Sequence, residues 1–154
     1  MIRILKIWFL ILSLFTITNA YATDLTKESV ENFIAKIDHA INTKDAQLFA
    51  NFLSNDIEII LNIKSQGQEQ VLKPTKQEYI ESLKQGWALY TKYEYSRLNT
   101  VININNNKAF VSSIVNETVE FLGQSVVGES KSEVVIEIVN GTPLITKAIS
   151  YSSI

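Results

Sequence analysis

No cysteine occurs among the 154 residues, and there are only two prolines, five glycines, one methionine and one histidine. Without cysteine there is no disulfide framework, no thiol nucleophile and no thiolate-held zinc or iron–sulfur centre. A single histidine cannot build a multi-histidine metal site, and Glu58 and Glu69 stand apart without calcium-loop spacing. Neither a metal nor a cofactor is expected. Fourteen basic residues against 16 acidic ones, with no basic run, argue against generic electrostatic binding of nucleic acid. Glycine-rich phosphate loops, a G-x-S-x-G elbow and a Ser/His/Asp arrangement are also missing. A hydrophobic content of 46% is too high for a disordered chain.

Long apolar runs are absent as well. Ile7–Phe15 is an apolar run broken only by Ser13, but even counted from Ile4 the run falls well short of the roughly 20 residues that span a bilayer. Arg3 and Lys6 precede it, and a polar stretch ending in Ala20-Tyr21-Ala22 follows it. This is the three-part layout of a secretory signal peptide. Residues 1–22 are therefore expected to be cleaved after Ala22, leaving a domain over 23–154 that is periplasmic or secreted and has no membrane span. Cleavage removes two basic side chains, so 12 basic residues face 16 acidic ones in what remains, a net charge of −4. Such a domain is held by packing alone.

The rest reads as helices first, then strands. Thr26 caps a helix whose apolar face is Val30, Phe33, Ile34, Ile37 and Ile41, with Asp38 and His39 on the far side. A short helix is expected from about Asp45 to Leu53. Alternation at Ile57, Ile59, Leu61 and Ile63 predicts a strand, and the polar Ser65–Lys73 segment a loop or hairpin tip. Thr75 and Glu78 form a capping box for a third helix with Tyr79, Ile80, Leu83, Trp87 and Tyr90 as its stripe. Gly86 inside it suggests close packing. Turn signals at Asn105–Asn107, Gly123-Gln124 and Asn140-Gly141 divide the remainder into four strands, about 93–104, 108–122, 125–139 and 143–153, forming an antiparallel meander.

The segments Val30–Ile59, Thr75–Trp87 and Val135–Tyr151 carry a resemblance in element order to the nuclear transport factor 2-like superfamily, which includes SnoaL-like and ketosteroid isomerase-like cone folds. The resemblance implies an α+β domain: three helices of the N-terminal half packed on a curved antiparallel sheet. It implies a cone-shaped pocket and a homodimer through the sheet. It implies no chemistry, because this fold hosts many functions. Where ketosteroid isomerases carry a tyrosine and two aspartates, this chain has Ile37, Leu61 and Val134, and no aspartate–histidine pair is evident.

Hairpin arithmetic places Tyr95 opposite Glu117, Glu117 opposite Ser130 and Ser130 opposite Tyr151, with Arg97 diagonal to Glu117. Period-two alternation then puts this polar row on the core face, beside Val111, Val115, Val134, Ile136, Ile145, Lys147 and Ile149. Trp87, Tyr90, Tyr95, Arg97, Glu117, Ser130 and Tyr151 are the candidates for lining a pocket. The leading expectation is non-catalytic binding of a small, mostly apolar ligand. The alternatives are an envelope interaction module, using Ser112, Ile114, Asn116, Thr118 and Glu120 on the outer face, and a cyclase, dehydratase or isomerase with Glu117 as acid/base.

Overall fold

In the computed structural model, which describes residues 24–153, Thr26 opens helix α1 (Lys27–Asn42). Its hydroxyl accepts from the Ser29 amide at 3.1 Å, and the Ser29 hydroxyl accepts from the Thr26 amide at 2.9 Å. Leu25 and Val30 flank that cap, both buried, as a hydrophobic staple requires. The expected signal peptide, residues 1–22, lies outside the described residues. Helix α2 (Ala46–Ala50) is shorter than its apolar pattern suggests, because Leu53 already starts strand β1 (Leu53–Ser65). Gln66-Gly67, both at positive φ, return the chain as β2 (Gln68–Leu72), so the polar segment is a true hairpin. Helix α3 (Lys76–Leu89) starts on the Thr75/Glu78 capping box. A Cβ at Gly86 would meet only the Tyr90 ring at 3.6 Å, an ordinary contact, so close packing does not explain that glycine.

Four strands follow: β3 (Lys92–Asn105), β4 (Lys108–Phe121), β5 (Gln124–Val139) and β6 (Thr142–Ser153). They form the expected antiparallel meander. The sheet as a whole is not antiparallel. Its order is β2-β1-β6-β5-β4-β3, and β1 runs parallel to β6. A hairpin cannot join parallel neighbours, and here α3 and the whole meander intervene between them.

One face of the sheet packs against the helices. Val30, Phe33, Ile34 and Ile37 of α1 and Ile80 and Trp87 of α3 meet Ala109, Val111, Ile136 and Ile145 from the strands. Ile136 and Val30 are completely buried. Phe33 meets Phe52 edge to face at 5.4 Å, which stitches α1 to the start of β1. Among the described residues no helix is long and apolar enough to cross a membrane.

Candidate functional site

The helices do not fill the concave side of the sheet. A cavity of about 160 Å³ remains, walled by Ile37 and Ile41 of α1, Tyr79, Leu83 and Trp87 of α3, and Ile57, Ile59 and Leu61 of β1. Strands β5 and β6 contribute Ser130, Ser132, Val134, Ile145, Ala148 and Ser150. Ile37, Leu61 and Val134, the apolar residues at the isomerase-like positions, all face this space. Polar groups collect on the remaining wall, where β3 and β4 present Tyr93, Tyr95, Arg97 and Glu117.

That wall is two linked hydrogen-bond clusters. In the first, the Tyr93 hydroxyl donates to Glu117 Oε1 at 2.5 Å. In the second, Arg97 donates through Nε to Asp38 Oδ1 at 3.0 Å, and its Nη2 lies 2.9 Å from the same oxygen. Nη1 donates to Ser113 Oγ at 2.8 Å and Nη2 to the Tyr95 hydroxyl at 2.5 Å. The guanidinium is thus a fork closed on three partners, its charge matched by Asp38. Asn42, one helical turn beyond Asp38, accepts from the Tyr95 amide at 3.3 Å, so α1 docks on β3 through two polar side chains. Lys44 reaches the Trp87 and Tyr90 carbonyls at 3.5 and 3.3 Å and secures the end of α3.

The phenols stay protonated far into alkali. Burial, then the Glu117 charge, pushes Tyr79 up to about 12. Tyr93 is raised further by burial and by the Glu117 charge and hydrogen bond, with the Trp87 indole acting in the opposite sense. Tyr95 is raised by burial, a shift the Arg97 charge opposes and Asp38 reinforces.

Of the expected site residues, Trp87, Tyr95, Arg97, Glu117 and Ser130 line the cavity. Tyr95 is directly opposite Glu117, as the hairpin arithmetic placed it. Arg97 turns to Asp38 rather than to Glu117. Ser130 lies opposite Val115 and Ser152, while Glu117 faces Gly128; the slip is two places, so both stay on the inner face. Two candidates leave the site. Tyr90 stacks on Tyr93 at 6.1 Å, one ring removed from the cavity. Tyr151 pairs with Lys131 and lies on the outer face, where the Lys131 ammonium sits 5.8 Å from its ring. The cause is a bulge between Val135 and Ile136, which moves β6 one place and reverses its faces beyond Ile145. Lys147 is turned outward by the same bulge and pairs with Glu58 at 2.7 Å.

Four side chains were not foreseen at the site: Tyr79 and Tyr93, which line the cavity, and Asp38 and Ser113, which hold Arg97. Tyr93 shares the parity of Tyr95 and was legible in the strand pattern. Asp38 falls beside Ile37 on the helix, on what reads as the polar face, and only the docking of β3 gives it a buried partner. His39 is exposed, and no group of acidic and histidine side chains among the described residues could hold a metal ion.

Helices on a curved mixed sheet with an open cavity match solved structures closely in shape. An NTF2-like protein from Cytophaga hutchinsonii superposes with a TM-score of 0.65 over 83% of this chain and 99% of that one. The chain has the nuclear transport factor 2-like fold. Sequence identity to that structure is 16%. An NTF2-like protein of unknown function from Pseudomonas putida gives 0.65 at 13% identity, covering 80% of this chain and 84% of its own. A hexachlorocyclohexane dehydrochlorinase from Novosphingobium barchaimii gives 0.62 at 11%, over 81% and 84%. No protein-family model matches the sequence, and no curated protein matches it. The nuclear transport factor 2-like fold is therefore shared by shape and not by sequence.

Proposed function

We propose that the protein binds a small, mostly apolar ligand in the cone-shaped cavity, without transforming it. The observation that carries this reading is the division of the cavity wall: aliphatic and aromatic side chains on most sides, the charged and phenolic groups Tyr93, Tyr95, Arg97 and Glu117 gathered on β3 and β4, and only the small hydroxyls of Ser130, Ser132 and Ser150 from β5 and β6. Buried pockets of this make-up recognise an apolar body by area and one polar atom by hydrogen bonds. An apolar cavity of ~150 Å³ accommodates a benzene-sized molecule, which sets the size class. Calorimetric titration of the full-length chain with benzyl alcohol and cyclohexanol should give saturable one-to-one heats that Ala148→Leu, which fills the cavity, abolishes. Flat titrations with both probes would overturn the reading.

A location outside the cytoplasm is supported by the signal-peptide pattern of residues 1–22. Fractionation of expressing bacteria should recover the protein outside the cytoplasm, with a mass that begins at Thr23. A homodimer through the outer face is supported by Leu98, Val101 and Phe110, which stand half-exposed on the surface away from the helices. The rival to passive binding is an enzyme with Glu117 as acid/base, favoured by the Tyr93–Glu117 hydrogen bond and by the dehydrochlorinase among similar shapes. Turnover of a bound ligand that Glu117→Gln stops would replace the binding reading with this one.

A further inference from the structure

The charge of the cavity wall narrows the ligand further, given the binding reading above. Among the described residues, Arg97 and Glu117 are the only charged side chains that line the cavity. Arg97 is neutralised by Asp38 and has Nε, Nη1 and Nη2 all engaged with protein acceptors. Glu117 has no cationic partner among the described residues; its single hydrogen bond there comes from Tyr93 and occupies Oε1. Oε2 is left for something else. Tyr93 holds this carboxylate, Trp87 lies against the Tyr93 ring at 6.0 Å, and Tyr79 lines the same cavity within reach of the Glu117 charge. Aromatic rings attract a cation held within about 6 Å of a face, more strongly where water is excluded. A half-buried carboxylate beside such rings is complementary to an alkylammonium group.

We infer that the ligand is a small amine: an apolar body filling the aliphatic end of the cavity, and a protonated amino group held between Glu117 Oε2 and the rings of Tyr79, Trp87 and Tyr93. The incoming ammonium then pairs with the carboxylate already in the wall, which avoids an unpaired buried charge on either side. A neutral alcohol of the same shape would satisfy the hydrogen bond but leave the Glu117 charge unmatched. A carboxylate ligand would meet Glu117 as a like charge, with the Arg97 fork already closed.

The test compares benzylamine, benzyl alcohol and benzoate as calorimetric probes of the full-length chain at neutral pH. Benzylamine should bind about tenfold or more tightly than benzyl alcohol, and benzoate weakest. Glu117→Gln should bring the amine and alcohol affinities together. Equal or tighter binding of benzyl alcohol or of benzoate in the unmutated protein would overturn the amine assignment while leaving the cavity a ligand site. No binding of any probe would overturn both. Since the ranking is measured on the unmutated chain, an unstable Glu117→Gln variant would not rescue the inference.

Discussion

Arg97 does structural work before any ligand arrives. Its side chain is 11% exposed and that of Asp38 24%, so the pair is mostly withdrawn from water. Removing one partner strands the other. Arg97→Gln should lower stability by about 2 kcal/mol, below the 3–5 kcal/mol of a fully buried pair because Asp38 keeps some solvent. Urea denaturation checks this, and Arg97→Lys should lie between the two, since an ammonium cannot hold Asp38, Ser113 and Tyr95 together. The three raised phenols give a second expectation. An unfolded tyrosine ionises near 10. A raised native pKa therefore contributes stability that is complete below about pH 10 and is lost as pH climbs from there towards the native values. Thermal unfolding followed from pH 8 to 12 should show a marked fall above pH 10, and Tyr79→Phe should soften it. In the sequence, Tyr95 and Glu117 were readable as partners because both lie in one hairpin. Asp38 was not, since its burial comes from a strand more than fifty residues away.

At the scale of elements, the turns decide which side chains meet. All four two-residue hairpin turns hold both residues at positive φ: Gln66-Gly67, Asn106-Asn107, Leu122-Gly123 and Asn140-Gly141. Leu122 is the misfit, a leucine at φ 51° with 82% of its surface exposed. A left-handed conformation costs such a residue about 1–2 kcal/mol, and asparagine less. Leu122→Asn should raise the denaturant midpoint, by about 0.5–1 kcal/mol in stability, since no packing is lost. Leucine advertises no turn, which is why Gly123-Gln124 looked like the corner and the β4–β5 pairing slipped by two places. Two is an even number, and every inner residue stayed inner. In the first hairpin the pairing near the turn was misjudged by one place, and the irregularity between Leu98 and Val101, where Asn99 sits at φ 52°, restored it by Tyr95. At β6 the bulge had no such counterpart, and Tyr151 went to the wrong face. Bulges leave little trace in an alternating pattern, so parity fails where they occur.

Across the whole molecule, element order apart from β2 was legible from capping boxes, periodicity and Asn/Gly turns, and the layer arrangement followed from the resemblance carried by that order. The parallel contact between β1 and β6 was not, because no local signal records which strands meet across α3 and the meander. The outer face remains to be matched with a partner. Light scattering on the purified protein should report a dimer, which Phe110→Asp, by planting a charge on the face that also carries Leu98, Val101 and Ile114, should return to monomer. Strand β6 has a consequence for the order of assembly. It lies between β1 and β5 and is the last of the described strands in chain order. Until it is in place, the β1–β2 hairpin and the β3–β5 layer share no ladder hydrogen bonds, and the cavity lacks one wall. Closing the sheet therefore waits on long-range pairs such as Glu58 with Lys147 and Asn62 with Tyr151, contacts of the kind that slow folding.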